Sequence, residues 1–200
     1  MQSRYLKDVI HRRSRYAIEN KLPLSQEEFL LLVENALKYC PSANNSQSGR
    51  IVVLLQEHHN KFWETLKTLL QEMIKPEKFP KTALKIDEFN AGYGTILFFE
   101  DQETVTGLQT KYPKYAHNYP DWSMQSSGIL QYIIWTALSS VNIGASLQHY
   151  TEIINEYVTL QYNIPRNWKL ISQMPFGGIV AEPEEKTFLP LSERMRIYPE

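Results

Sequence analysis

Three arginines and a serine in four consecutive positions, Arg12, Arg13, Ser14 and Arg15, are the densest concentration of chemistry in this chain. Long guanidinium donors around a short hydroxyl suit a phosphate monoester together with the polar atoms of a ring. The same cations follow Leu6, Val9 and Ile10, which share one helical face, so they also complement the negative end of a helix dipole at ~0.3–1 kcal/mol each. On the residues alone both readings stand. A second polar stretch runs from Pro41 through Ser42, Ala43, Asn44, Asn45, Ser46, Gln47, Ser48 and Gly49 to Arg50, with almost nothing to bury. The amides of Asn44, Asn45 and Gln47 each put a donor and an acceptor on one flat group, as the edge of a flavin or nucleobase requires. A solvated turn is the competing account. A third stretch, from Asn142 through Gly144, Ala145, Ser146, Leu147 and Gln148 to Tyr150, reads as a tight turn, a short strand and a loop whose small residues let the backbone approach a ligand.

Other chemical candidates are weaker. His58 and His59 are expected in a strand-to-helix turn, pointing in different directions with no third ligand nearby, which argues against a metal site. Cys40, the single cysteine, falls at an apolar helix end with no histidine beside it in sequence and reads as a buried structural thiol. Gly92 and Gly94 precede their strand and lack a third glycine, so the dinucleotide fingerprint fails.

The elements that must position these stretches alternate along the chain. A helix carrying Leu6, Val9 and Ile10 ends near Arg12. Ser25 and Glu28 form a capping box, with Leu24 and Phe29 spaced as a hydrophobic staple, and this second helix runs to Cys40 before Pro41. Residues 51–55 read as a buried strand, Phe62 to Met73 as a helix, 81–90 as a shorter helix and 95–99 as a strand. Residues 103–120 read as a short helix and then an irregular, mobile, Tyr-rich segment. Asp121 or Ser123 is expected to cap a long helix through Val141, apolar on so wide an arc that it is central. Its cover is either its own subunit or a second one. Thr151 is expected to cap a helix over 152–161. Trp168 to Gln173 reads as a strand, turned sharply by Met174, Pro175, Phe176, Gly177 and Gly178. The tail beyond Glu182 alternates anchors and charges, a pattern of a docked arm.

With a net charge of −1, no global field draws this chain to nucleic acid or an anionic membrane, and any anion site must be local. No apolar run approaches a membrane span and no signal segment is evident, so a single cytoplasmic domain over 1–200 is expected.

Taken in order, the Arg-Arg-Ser-Arg start, the Pro-Ser-X-X-Asn-Ser-Gln-Ser loop, the Gly-Ala-Ser-Leu-Gln-His-Tyr stretch and the Met-Pro-Phe-Gly segment resemble the FMN-dependent nitroreductase family, in particular its short branch of fatty-acid-repression-mutant type. The resemblance implies an α+β sandwich, a mostly antiparallel central sheet flanked by helices, in an intertwined homodimer with a C-terminal arm. It implies that Arg12, Arg13, Ser14 and Arg15 contact FMN. Ser42, Ala43, Asn44 and Asn45 are then expected to reach the partner's flavin, with Gln47, Ser48 and Arg50 as further contacts. Ser146, Leu147 and Gln148 would lie at its redox edge, Phe176, Gly177 and Gly178 close to it, and Lys186 or Arg194 at its phosphate. The implied activity is ping-pong transfer of hydride from NADH or NADPH through FMN to small-molecule acceptors, nitroaromatics or quinones. The rival reading is a flavin-binding regulatory or stress-signalling dimer in which reduction is incidental.

Overall fold

The computed structural model describes residues 3–199, which form seven α-helices and five strands. All strand pairings are antiparallel, in the order β1 (Ile18–Glu19), β5 (Trp168–Ile179), β3 (Gly94–Asp101), β2 (Gly49–Leu55), with β4 (Ile143–Ala145) also paired to β5. Helices cover both faces, so β3 is buried along its whole length. Its alternation decides which core each side chain enters. Ile96 and Phe98 pack with Phe29 and Val33 of α2 (Gln26–Lys38) and with Leu130, Ile134 and Leu138 of α6 (Tyr119–Ser140). Leu97 and Phe99 pack on the other side, against α3 (Glu57–Met73), α4 (Phe79–Asn90) and α7 (Thr151–Gln161). The α+β sandwich with a mostly antiparallel sheet expected from the resemblance is the fold observed.

Local signals explain much of this. The Ser25 hydroxyl accepts from the Glu28 amide at 3.2 Å, and the Glu28 carboxylate accepts from the Ser25 amide at 2.9 Å, closing the capping box. The Ser25 amide, and the Ser25 hydroxyl, which donates to the same carboxylate at 2.9 Å, hold the Glu28 carboxyl below its ordinary pKa. The helix ends at Lys38, leaving Cys40 half-buried beside a cavity instead of buried in the core. Helix α1 (Arg4–His11) is capped by Ser3 and buries none of its residues.

Several expectations give way. Residues 51–55 belong to an edge strand, and only Leu54 among them is buried. His58 and His59 lie inside the first turn of α3, which the chain enters abruptly at Gln56 with φ 50° and ψ −120°. His59 is fully buried, and its ring completes a chain of hydrogen bonds. The Trp63 indole donates to the Thr95 hydroxyl at 2.8 Å, Thr95 donates to Nδ1 of His59 at 2.8 Å, and Nε2–H donates to the Asn90 carbonyl at 3.2 Å. The carbonyl only accepts, so the proton is assigned to Nε2. Burial lowers the His59 pKa to about 4.

The Tyr-rich segment is helical, not irregular. Helix α5 (Gln102–Lys111) is followed by a 3-10 helix, Pro113–Asn118, that runs directly into α6. Pro120 stands in the first turn of α6, where a missing N–H costs nothing, so neither Asp121 nor Ser123 is the cap. Thr151 likewise is the first residue of α7, with Tyr150 at the cap. Nor does the chain turn at Met174: β5 continues through Pro175 to Ile179. Gly177 is required there because a Cβ would lie 2.3 Å from the Glu19 carbonyl oxygen of β1.

Candidate functional site

The Arg12 to Arg15 segment leaves α1 and runs beside β4. Ser14 bridges to Ala145 in parallel, and the Arg15 amide donates to the Ala145 carbonyl at 2.9 Å. That carbonyl also accepts from the Trp135 indole at 3.1 Å. The Trp135 ring carries the Arg12 guanidinium 4.2 Å from its centroid, a cation–π contact that fixes the arginine. Burial, with Arg13 and Arg15 adding to it against Tyr132, lowers the Arg12 pKa. Arg15 is only 2% exposed; it donates to the His11 carbonyl at 3.2 Å and to Glu182 at 3.0 Å. Arg13 donates to the Glu184 carbonyl.

A cavity of about 570 Å³ opens over this segment, lined by Arg12, Arg13, Ser14, Tyr16, Ala17 and, from the tail, residues 181–184 and Lys186. Three cationic side chains therefore face one space. The Arg12 Nε is buried without a hydrogen-bond partner, so donor capacity remains on a guanidinium that lines the cavity; Arg15 has an unpartnered Nε too but lies behind the lining. Glu182, which lines the cavity, reaches back to Arg15 at 3.0 Å. Ser146 and Gln148 follow directly after β4. The Ser146 amide donates to the Pro175 carbonyl and the Gln148 side-chain amide to the Ser146 hydroxyl at 3.1 Å. Gln148 also exchanges two main-chain hydrogen bonds with Gln173, whose side chain accepts from the Tyr150 amide at 2.8 Å. Leu147 packs against the α2/α6 core.

The polar loop lies elsewhere. Asn44, Asn45 and Gln47 all take left-handed backbone conformations, with φ of 52°, 51° and 50°. Such angles are tolerable for asparagine and strained for glutamine. The strain is held by bonds beneath: the Ser42 hydroxyl accepts from the Gln47 amide at 2.9 Å, and the Ala43 amide donates to the Ser126 hydroxyl at 3.4 Å. Asn44 donates to the Tyr119 hydroxyl at 2.6 Å. Ser48 is buried, and under it Glu100 accepts from Ser123 at 2.9 Å. Burial raises the Glu100 pKa, against Ser48, Ser123 and Arg50, which favour its ionised form. Arg50 is committed to Asp101 at 2.8 Å and lies over Trp168. Burial disfavours the Asp101 carboxylate, but Thr104, Asn167 and Arg50 outweigh it and hold that pKa low.

Both polar segments are anchored on α6. The loop is tied to Ser126, while the His11 ring, just before the arginines, meets Ser139 at 3.2 Å. From Ser126 to Ser139 is about 20 Å at the helical rise of ~1.5 Å per residue.

The remaining expected residues separate. Lys186 lines the arginine cavity; exposed Arg194 does not. Phe176 is fully buried, stacked on Phe29 at 4.6 Å, and none of residues 176–178 lines either that cavity or the space over the loop. Trp135 and Glu182 escaped the sequence reading because their partners are distant in the chain. Gln173 left a trace, a polar residue at the end of the strand expected over 168–173, and it is fully buried.

The fold matches a recognisable class. The sequence model of the nitroreductase family matches residues 9–178, and the chain belongs to that family of oxidoreductases. It is 32% identical over 187 residues to the nitroreductase FRM2 of Saccharomyces cerevisiae, covering 92% of this chain and 93% of that one. It is also similar to the nitroreductase CinD of Lactococcus lactis, solved in complex with chloramphenicol, at 37% identity and a TM-score of 0.90 over 98% of this chain and all of that one. A structure from Exiguobacterium sibiricum in complex with FMN shares the fold, with a TM-score of 0.73 at 13% identity and 99% of each chain covered.

Proposed function

We propose that this protein is an FMN-dependent oxidoreductase that works as a homodimer, taking electrons from NADH or NADPH and reducing nitroaromatic or quinone acceptors in a ping-pong sequence. The observation that carries the reading is the pair of half-sites about 20 Å apart along α6. Two α6 helices packed antiparallel across a two-fold axis bring the arginine half of one chain beside the loop half of the other. Met124, 45% exposed, and the exposed Gly128 one turn on lie on the face of α6 left for such a partner. The exposed tail, with Phe188, Leu189, Leu191 and Ile197 uncovered, is available to reach across as an arm.

In this reading Arg12, Arg13 and Lys186 hold the phosphate, with Ser14 and Arg15 on the polar atoms beyond it. Residues 146–148 set a backbone edge against the ring, and residues 42–45 of the partner close the site. Bound FMN supplies two-electron transfer between a reduced nicotinamide and the acceptor. The chain's own task is electrostatic: its cations favour the more negative, reduced form of the group they bind. The unpartnered Nε of Arg12, on a side chain that lines the cavity, fits that task.

The test is to denature the purified protein and identify the flavin released, then to measure steady-state turnover. FMN at one per chain, with turnover of about 1 per second or faster on a quinone or nitroaromatic, supports the enzyme. FMN with only trace turnover supports the regulatory alternative.

A further inference from the structure

We propose that Trp122 is a specificity residue for aromatic electron acceptors, seating a planar, electron-poor ring in a cavity separate from the arginine cavity. The inference rests on the function proposed above. The cavity, about 400 Å³, lies between the loop, through Ala43 and Asn44, and the outer face of α6, through Trp122, Gln125 and Ile129. No residue lining it is charged, so it favours an uncharged ring over an anion.

Trp122 is fixed in place by its neighbours. Tyr119 meets it edge-on, centroids 5.2 Å apart at 79°, and Tyr115 packs on it at 6.4 Å. Tyr119 is itself stacked by Tyr112 at 6.2 Å and bonded by Asn44. A half-buried indole held in this way presents an immobile, electron-rich surface. Nitro and quinone rings are electron-poor, and offset stacking between unlike rings is favourable. Ser126 has no hydroxyl proton to offer, since it donates to the Trp122 carbonyl at 2.9 Å. Gln125 puts an exposed amide at the rim, suited to a nitro or quinone oxygen. The loop that forms one wall is the one assigned to the partner's flavin, so a ring seated here lies beside the electron donor.

The experiment uses the FMN-loaded protein and compares wild type with Trp122→Leu and Trp122→Phe, on nitrobenzene and benzoquinone against ferricyanide, which has no ring to stack. In Trp122→Leu the KM for both aromatic acceptors should rise about tenfold, and the kcat/KM ratio of nitrobenzene to ferricyanide should fall by a similar factor. Trp122→Phe should recover most of the loss. Unchanged KM values in Trp122→Leu overturn the inference and leave the proposed function standing. So does an equal fall for ferricyanide with loss of FMN, which marks a merely structural tryptophan. A wild-type protein that holds no FMN and turns over no acceptor overturns the proposed function, and this inference with it.

Discussion

Replacing Arg13 with alanine separates a ligand-binding role of the arginine cluster from a helix-end role more cleanly than any other change. Arg13 is half-buried and bonded to a single carbonyl of the tail, that of Glu184, so its loss should leave apoprotein stability within ~0.5 kcal/mol of wild type. If the side chain also holds the FMN phosphate, the lost charge-assisted bond is worth ~1.5–3 kcal/mol, a fall of roughly 10- to 150-fold in affinity. Arg15 behaves differently. It is buried and bonded to the His11 carbonyl, so Arg15→Ala should destabilise even the apoprotein, by ~1–3 kcal/mol. The assay titrates flavin-free protein with FMN by fluorescence and follows urea unfolding of the same samples without flavin. Wild-type FMN affinity in Arg13→Ala would refute the reasoning and return the cluster to the helix dipole.

His59 should make stability pH-dependent. Its folded pKa of about 4 lies below the ordinary 6.5, so the unfolded chain binds the proton first. Its contribution is therefore complete above pH 6.5 and declines by about 3 kcal/mol as pH falls toward 4. Urea unfolding across that range should show a steeper loss in wild type than in His59→Gln; equal slopes would contradict the buried neutral ring. Gly177→Ala places a Cβ 2.3 Å from the Glu19 carbonyl, which should cost more than ~2 kcal/mol or prevent folding, read by thermal unfolding. At Gly128, by contrast, an added Cβ would meet nothing within 4 Å in its own chain. Gly128→Gln should therefore leave a folded chain but lose the dimer and its FMN together, measured by light scattering and flavin content.

Much of the fold was legible where a local signal decides it. Ser25 and Glu28 announced α2, and the wide apolar arc from Leu130 to Leu138 announced a central helix. The misreadings have two causes: tertiary partners overrode local chemistry, or a helix start lacked its usual marker. Pro175 and Gly177 look like turn residues, yet Gly177 is small to admit the two-residue strand β1, an element too short to leave a pattern. His58 and His59 seemed to stand before a helix because α3 has no capping side chain to mark its start. At the candidate site, the Arg12 cluster and the Asn44 loop were legible as residue types. Their separation along α6 was not, nor was the role of Trp135 beneath Arg12. Both depend on contacts between segments far apart in sequence.

The central claim is that one flavin site is assembled from the arginines of one chain and the loop of another. Co-refolding equal amounts of two inactive variants tests it: one with Arg12 and Arg13 changed to alanine, the other with Asn44 and Asn45 changed to alanine. In a mixed dimer with shared sites, one site combines both intact halves, so FMN binding should return to about a quarter of the wild-type level. If each chain builds its own site, every site in the mixture keeps a damaged half, and no recovery above the two separate variants will be seen.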